Sequence, residues 1–367
     1  MTGLRRRYPH LKVTLAVGGW NEGSANYSAM ASSPQSRKQF VHSALEFIQN
    51  YDFDGLDLDW EYPGKRGGKP EDKKNFVALV RELREAFDGR GWILTSAIGA
   101  GKDTLEVAYD VRALAPHLDL FHLMCYDYHG AWDSRTGHNA PLHHYPEGKQ
   151  ENDKYHTTEY SVNYLLELGA PPRKIVMGVP MYGRTLLIER ENSLEEDKLI
   201  PPGFPAKDKG FPGPFTKEDG FMGYNEICLE LMNSESYMGN DSSGKWEIGW
   251  DDASKTPYAS KKDKWITYDN ERSIREKVKF AMEKELGGIM VWAIDTDDFH
   301  GDCSEGGFKK FPLLNTINQA IIQVIEDQEN VIPDNKHEEK HDSSASILSV
   351  PILLVSVISL LMPLFNQ

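Results

Sequence analysis

Cysteine is scarce in this 367-residue chain, with only Cys125, Cys228 and Cys303. No CxxC pair occurs, which argues against a zinc ribbon, and three cysteines do not make a small disulfide-dense module. An odd count allows at most one intramolecular disulfide and leaves a thiol over. Positive charge is also short: 41 Lys and Arg stand against 56 Asp and Glu, a net charge of −15 with a pI near 5.3. That balance argues against nucleic acid as a partner, since phosphates would be repelled. It suits a soluble protein that binds a neutral polymer. The opening MTGLRRRYPHLK has no apolar core of the kind a secretory signal needs.

What the chain does have is hydrophobic and aromatic material. Hydrophobic residues make up 40%, with 8 Trp, 16 Tyr and 15 Phe, enough for a large core and for aromatic platforms. One long apolar run stands out. From Ile347 to Phe365 there is no charge, a length that suits a bilayer, and only Asn366 and Gln367 follow. Small residues Ser343–Ser346 precede it, behind the charged stretch Lys336–Asp342. That arrangement resembles a signal for a GPI anchor, with a membrane-spanning tail and a plain hydrophobic tail left open. Two N-glycosylation sequons occur, Asn26-Tyr27-Ser28 and Asn240-Asp241-Ser242.

Strand-like and helix-like segments alternate. Short apolar runs predict strands at Lys12–Val17, Phe53–Trp60, Trp92–Ile98, Leu118–Tyr126, Lys174–Met181 and Gly288–Asp295. Stripes at helical spacing fall on Phe40, Ala44, Phe47 and Ile48, on Phe76 to Phe87, around Val107–Leu114, at Tyr160–Leu168, on Ile274 to Leu286, and at Phe308–Ile325. Such alternation predicts a parallel sheet with crossover helices. Six strands are two short of a closed eight-stranded barrel. The chain also begins on what reads as the end of a helix, Leu4–Tyr8. Either the sheet is open or two strands are missing before it. The stretch 186–264 is rich in Gly, Pro, Asp and Lys and is too long for a loop, so a small inserted domain is expected there. The expected organisation is a barrel over 1–185 and 265–325, the insertion over 186–264, a polar linker over 326–346 and the hydrophobic tail over 347–365.

The chemistry concentrates in FDGLDLDWEYP, Phe53–Pro63. Asp57, Asp59 and Glu61 are spaced by two, which in a strand points all three carboxyls to one face. Leu56, Leu58 and Trp60 take the other. Three acids inside a barrel are costly unless paired, protonated or functional. An acidic solvated edge strand and a carboxylate site for Mg²⁺ or Ca²⁺ are the competing readings. The apolar opposite face weighs against the first, and the lack of a nearby His ligand against the second.

DGLDLDWEYP matches the DxxDxDxE signature of family 18 chitinases, with Asp54, Asp57, Asp59 and Glu61 in its acidic positions. Four further blocks resemble family motifs in family order: LAVGGW (Leu15–Trp20), with Ala16 where Ser is frequent, MCYDYHG (Met124–Gly130), GVPMYGR (Gly178–Arg184) and GGIMVWAIDTDDF (Gly287–Phe299). The segment after GVPMYGR resembles the α+β insertion domain of arthropod and mammalian chitinases. The resemblance implies a (β/α)8 TIM-type barrel, here lacking its first two strands, with an inserted α+β domain. It implies a disulfide between Cys228 and Cys303, leaving Cys125 as a buried inert thiol.

It also implies a substrate-assisted retaining mechanism, in which the sugar's own 2-acetamido group replaces an enzymatic nucleophile. Glu61 would be the general acid and base, its pKa raised by burial and by Asp59. Asp59 would take the acetamido N–H, and Asp57 would share a proton with Asp59. Tyr182 would bond the acetamido carbonyl. Asp127, Tyr126 and Met124 would surround the same sugar, Trp292 would form its floor, and Trp20, Trp132 and Arg184 would hold sugars further along the cleft. Core packing is the competing reading for each aromatic. Chitin or chitooligosaccharides are the implied partners, soluble or nascent rather than thick sheets. No cofactor, no metal and no nucleic acid are expected, and a monomer is. Family members carry a signal peptide, a strand, a helix and a second strand ahead of the segment matching Met1. A chain truncated there is expected to be unstable or to aggregate, and its parent to be extracellular or at the cell surface. A catalytically inactive chitin-binding lectin and an endo-β-N-acetylglucosaminidase are the alternative functions.

Overall fold

The computed structural model describes residues 2–145, 153–189, 198–207, 209–236, 244–303 and 309–330. The sequon at Asn240, most of the expected linker and the apolar stretch 347–365 lie outside them. Among the described residues there are eleven strands: β1 (Thr14–Gly18), β2 (Gly55–Asp59), β3 (Ile93–Gly99), β4 (Leu120–Met124), β5 (Ile175–Pro180), β6 (Tyr182–Leu187), β7 (Phe221–Gly223), β8 (Glu247–Asp251), β9 (Thr256–Lys261), β10 (Lys264–Thr267) and β11 (Gly288–Trp292).

All six expected barrel strands form, and they pair in parallel in the order β1-β2-β3-β4-β5-β11. Helices cross over between neighbours, which is the α/β TIM-type pattern. The central strands are buried along their length, whereas β1 at one edge is only half-buried. Its pairing with β2 sets Ala16 opposite Asp57 and Gly18 opposite Asp59. The opening turn is a 3₁₀ helix, Thr2–Arg6, tied down by Arg5, which pairs with Asp54 at 2.9 Å and also reaches Asp52.

The outer face of the sheet carries the main core. Leu56, Leu58 and Trp60 of the β2 segment pack in one cluster with Phe76, Leu79, Val80 and Leu83 of the helix Asp72–Phe87. Each such side chain, fully withdrawn from water, contributes about 1.5–3 kcal/mol. The helix Pro34–Asn50 starts on Ser33, whose hydroxyl accepts from the Ser36 N–H, with Pro34 in the first turn. The helix Glu271–Glu283 starts on a capping box made by Asn270 and Ser273.

Three expectations on boundaries change. The helix expected around Val107–Leu114 is two, Lys102–Ala108 and Val111–Leu114, because Tyr109 is extended and Asp110 caps the second. The last helix, Pro312–Asn330, runs five residues into the expected linker, where Gln323 bonds Asp327 one turn on. The inserted unit is a five-stranded antiparallel sheet, β7-β6-β10-β9-β8, with the helix Tyr224–Ser236. It takes in Tyr182–Leu187 and Lys264–Thr267, so it begins before 186 and ends after 264. The switch comes at Met181: its N–H still donates to the Trp292 carbonyl at 2.8 Å on the β11 side, while its own carbonyl accepts from the Tyr224 N–H at 3.0 Å on the side of the antiparallel unit.

Candidate active site

Alternation along β2 does what the sequence required. Asp57 and Asp59 turn inward, while Leu56 and Leu58 turn to the helices. The strand ends at Asp59, yet Glu61 keeps the same side and is buried at 8% exposure. Trp60 anchors the bend between them. Its ring stacks on Tyr27, meets Phe76 edge-on, and its N–H donates to the Ser24 hydroxyl at 2.5 Å. The neighbouring strand has to come very close here. A Cβ on Gly18 would lie 2.0 Å from the Asp59 carbonyl oxygen, and Gly18 has a φ of +123°. Only glycine fits both conditions.

The three carboxyls sit in different surroundings. Asp57 Oδ1 accepts from the Thr95 hydroxyl at 2.5 Å and lies 3.0 Å from His122 Nδ1. Burial alone would lift Asp57, but His122 and Thr95 outweigh it and hold the carboxyl below its ordinary value. Asp59 is pushed well up, first by burial and then by the charges of Glu61 and Asp57. Its Oδ1 is buried and has no hydrogen-bond partner. Burial also raises Glu61. The Tyr62 hydroxyl and the Arg66 guanidinium pull against that, and the Asp127 charge adds to it. The sequence reading named Asp59 as the neighbour that lifts Glu61. The Asp59–Glu61 repulsion is mutual and belongs to the pair, and the Asp127 charge pushes on Glu61 as well.

A second group lies at the exits of β4, β5 and β11. Asp127 has a φ of +59° and its N–H donates to Asn139 Oδ1 at 2.9 Å. Its carboxylate Oδ1 accepts from the Tyr182 hydroxyl at 2.9 Å and from Arg184 Nε at 2.7 Å. Tyr182 and Arg184 stand on β6, so the antiparallel sheet supplies one wall of the site. Burial and the Asp127 charge raise Tyr182, which therefore stays a hydroxyl donor; Tyr126, in edge contact with it, is raised by burial and Asp59. Met124 and Trp292 are each the last residue of their strand and are half-buried. They share the C-terminal edge of the sheet with Asp59, the edge where barrels carry their chemistry.

Trp20 and Trp132 are 59% and 55% exposed, which rules out core packing as their role. Arg66 covers the Trp20 ring at 3.5 Å and donates to the carbonyls of both Trp20 and Glu61. Arg184 lies 5.1 Å from the Trp132 ring. Cys228 and Cys303 are joined in a disulfide with Cα atoms 5.7 Å apart. Cys125 is fully buried, and burial pushes its thiol up to about 12. Sequence reasoning missed His122, Thr95, Tyr62 and Arg66. His122 had one available signal: it stands two residues before Met124, on the same face of the same strand.

Comparison with known proteins gives a consistent result. The family model for glycosyl hydrolases family 18 matches residues 1–297. A Drosophila melanogaster protein called probable chitinase 2 is 44% identical over 98% of this chain and 77% of its own length. The crystal structure of an Ostrinia furnacalis group IV chitinase in complex with allosamidin has a TM-score of 0.79 at 43% identity, covering 88% of this chain and 82% of that one. Human YKL-39, described as a pseudo-chitinase with retained chitooligosaccharide binding, gives 0.76 at 33% identity, covering 87% and 83%.

Proposed function

The chain belongs to glycosyl hydrolase family 18 and is of the chitinase type, and from that premise we propose that it hydrolyses β-1,4-linked N-acetylglucosamine polymers with retention of configuration. The observation that carries this reading is the electrostatic split along β2: one carboxyl held low, two held high, all on one inward face. Groups whose surroundings push their pKa values apart are suited to different parts in one reaction.

Glu61 in its raised, protonated state gives its proton to the glycosidic oxygen, and the C1–O bond breaks. The acetamido carbonyl oxygen of the same sugar closes on C1, forming an oxazolinium ion. Asp59, whose buried Oδ1 is free to accept, takes the acetamido N–H. Asp57, kept ionised by His122 and Thr95, supports the charge that builds on the ring. Tyr182 and Asp127 steer the acetamido group. Glu61, now a carboxylate, then removes a proton from water, which opens the ring at C1 from the face the leaving group left. Trp292 is the floor, and Trp20, Trp132 and Arg184 extend the cleft. The uncharged stretch 347–365 supports attachment at the outer cell surface.

The test is the course of chitopentaose cleavage followed by proton NMR. The β-anomer should appear first and convert slowly to α. Immediate α-anomer would contradict retention. Binding without cleavage would favour a lectin like the pseudo-chitinase neighbour. Cleavage of N-glycan cores but not of chitopentaose would favour the endo-β-N-acetylglucosaminidase.

A further inference from the structure

Beyond the carboxyl row, one other group of ligand-type side chains converges. His129 leaves β4 two residues after Asp127. Asp153 and His156 lie on the segment that leads into the helix Thr158–Glu167. One ligand-type atom from each of His129, Asp153 and His156 lies within 4.8 Å of the other two, and His129 Nε2 is 3.7 Å from Asp153 Oδ1. His129 and Asp153 are each 3% exposed.

The hydrogen-bonding around His129 fixes which nitrogen is available. Its Nδ1 is 3.1 Å from Asp133 Oδ2, which also accepts from the Gly130 N–H. An ionised carboxylate only accepts, so Nδ1 carries a hydrogen, and the tautomer with that single hydrogen presents a lone pair at Nε2. A carboxylate behind the outer nitrogen is the usual support of a metal-bound imidazole. Gly137 makes room for the ring, since a Cβ there would lie 2.5 Å from His129 Cγ. The His156 ring meets His129 edge-on at 5.5 Å and stacks on Tyr128. Both His129 Nε2 and His156 Nδ1 are buried without a hydrogen-bond partner. Leaving two such groups unmatched away from water is costly. A cation between two lone pairs and a carboxylate removes that cost.

We propose that His129, Asp153 and His156 form a zinc-type divalent metal site that pins the approach to the helix Thr158–Glu167 onto the exit of β4. Two imidazoles and one carboxylate select zinc or a neighbouring first-row ion over calcium or magnesium, which take oxygen ligands. Tetrahedral zinc with bonds of about 2.0–2.1 Å sets its ligands about 3.4 Å apart. The three atoms therefore close on the ion by movements of under about 1 Å. Water takes the fourth position. The site is separate from the proposed hydrolysis, but it holds the strand exit that carries Asp127. The competing account is a doubly protonated His129 held between Asp133 and Asp153.

The experiment uses the full chain, stripped with EDTA and titrated with zinc chloride by calorimetry, beside His156→Leu and Asp153→Asn. The expected result is one zinc per chain, bound about 100-fold more weakly by either variant. At a hundredfold excess over Kd the wild-type Tm should rise by about 5 °C or more, with no rise from calcium chloride. Cobalt in place of zinc should give the visible absorption of a four-coordinate ion, a readout that does not depend on the stability of the variants. No zinc uptake by the wild type overturns the proposal and favours the protonated histidine. Equal uptake by wild type and both variants, or an equal response to calcium, overturns it as well.

Discussion

Replacing His122 with Phe removes the nitrogen that faces Asp57 while keeping the strand volume filled. Asp57 is 2% exposed and its Oδ1 has two close partners, His122 Nδ1 at 3.0 Å and the Thr95 hydroxyl at 2.5 Å. Taking one partner from a buried carboxylate costs about 3 kcal/mol, the upper end for a buried polar group left unmatched. At about 2–4 °C per kcal/mol for a chain of this size, about 3 kcal/mol is a Tm fall of about 6–12 °C at pH 7.5. The sign with pH follows from the lowered Asp57. A carboxyl depressed in the folded state adds stability above its unfolded pKa of about 3.9, and loses it as pH falls through the folded value. The variant lacks that contribution, so its deficit should be full at pH 7.5 and should narrow as pH drops below about 4, to about 3. Thermal unfolding followed by circular dichroism at the two pH values reads both effects. A deficit under about 2 °C at pH 7.5, or one that widens in acid, would refute the assignment of His122 as the group that holds Asp57 down.

Asp59 has the opposite sign. Its raised pKa means the folded chain holds a proton that the unfolded chain gives up, so stability falls as pH rises above about 4. Asp59→Asn should therefore melt higher than wild type at pH 8, with the gap closing toward pH 4; an equal gap at both values would contradict this. Lys277 Nζ lies 2.7 Å from both oxygens of Asp269, each residue under 3% exposed, so Lys277→Ala should cost about 3–5 kcal/mol by denaturant titration. Gly18→Ala puts a methyl 2.0 Å from the Asp59 carbonyl at a φ of +123°, and should cost about 3 kcal/mol or more and disturb the site next to it. A melting point within 2 °C of wild type would count against that close approach.

The parts of the molecule that local pattern controls were readable from the chain. Residues spaced by two on β2 share a face because a strand has a period of two, and the apolar run 56, 58, 60 marks the opposite face without help from the rest of the protein. The six parallel strands follow from short apolar runs, as strands covered on both faces require. What the sequence did not reveal depends on register between distant segments. His122 reaches Asp57 only because β3 lies between their strands and sets Asp57 opposite Thr95 and Ala97 opposite His122. Tyr182 reads as part of the β5 motif, but beyond Met181 the chain pairs with β7 and β10, which places Tyr182 opposite Gly223 in the antiparallel sheet. Arg66 lies in a glycine-flanked turn with no periodic signal, yet it spans Trp20 and Glu61. His129, Asp153 and His156 have no metal-binding spacing along the chain, and only folding brings them together.

The role of Glu61 is tested most directly by steady-state kinetics on a fluorogenic chitotriose with wild type and Glu61→Gln, alongside calorimetric binding of chitopentaose to both. Removing a general acid and base costs about 10²–10⁴-fold, so kcat should fall by about a thousandfold while the sugar still binds. A Gln variant that keeps kcat within tenfold of wild type would contradict the assignment of Glu61 as the proton donor.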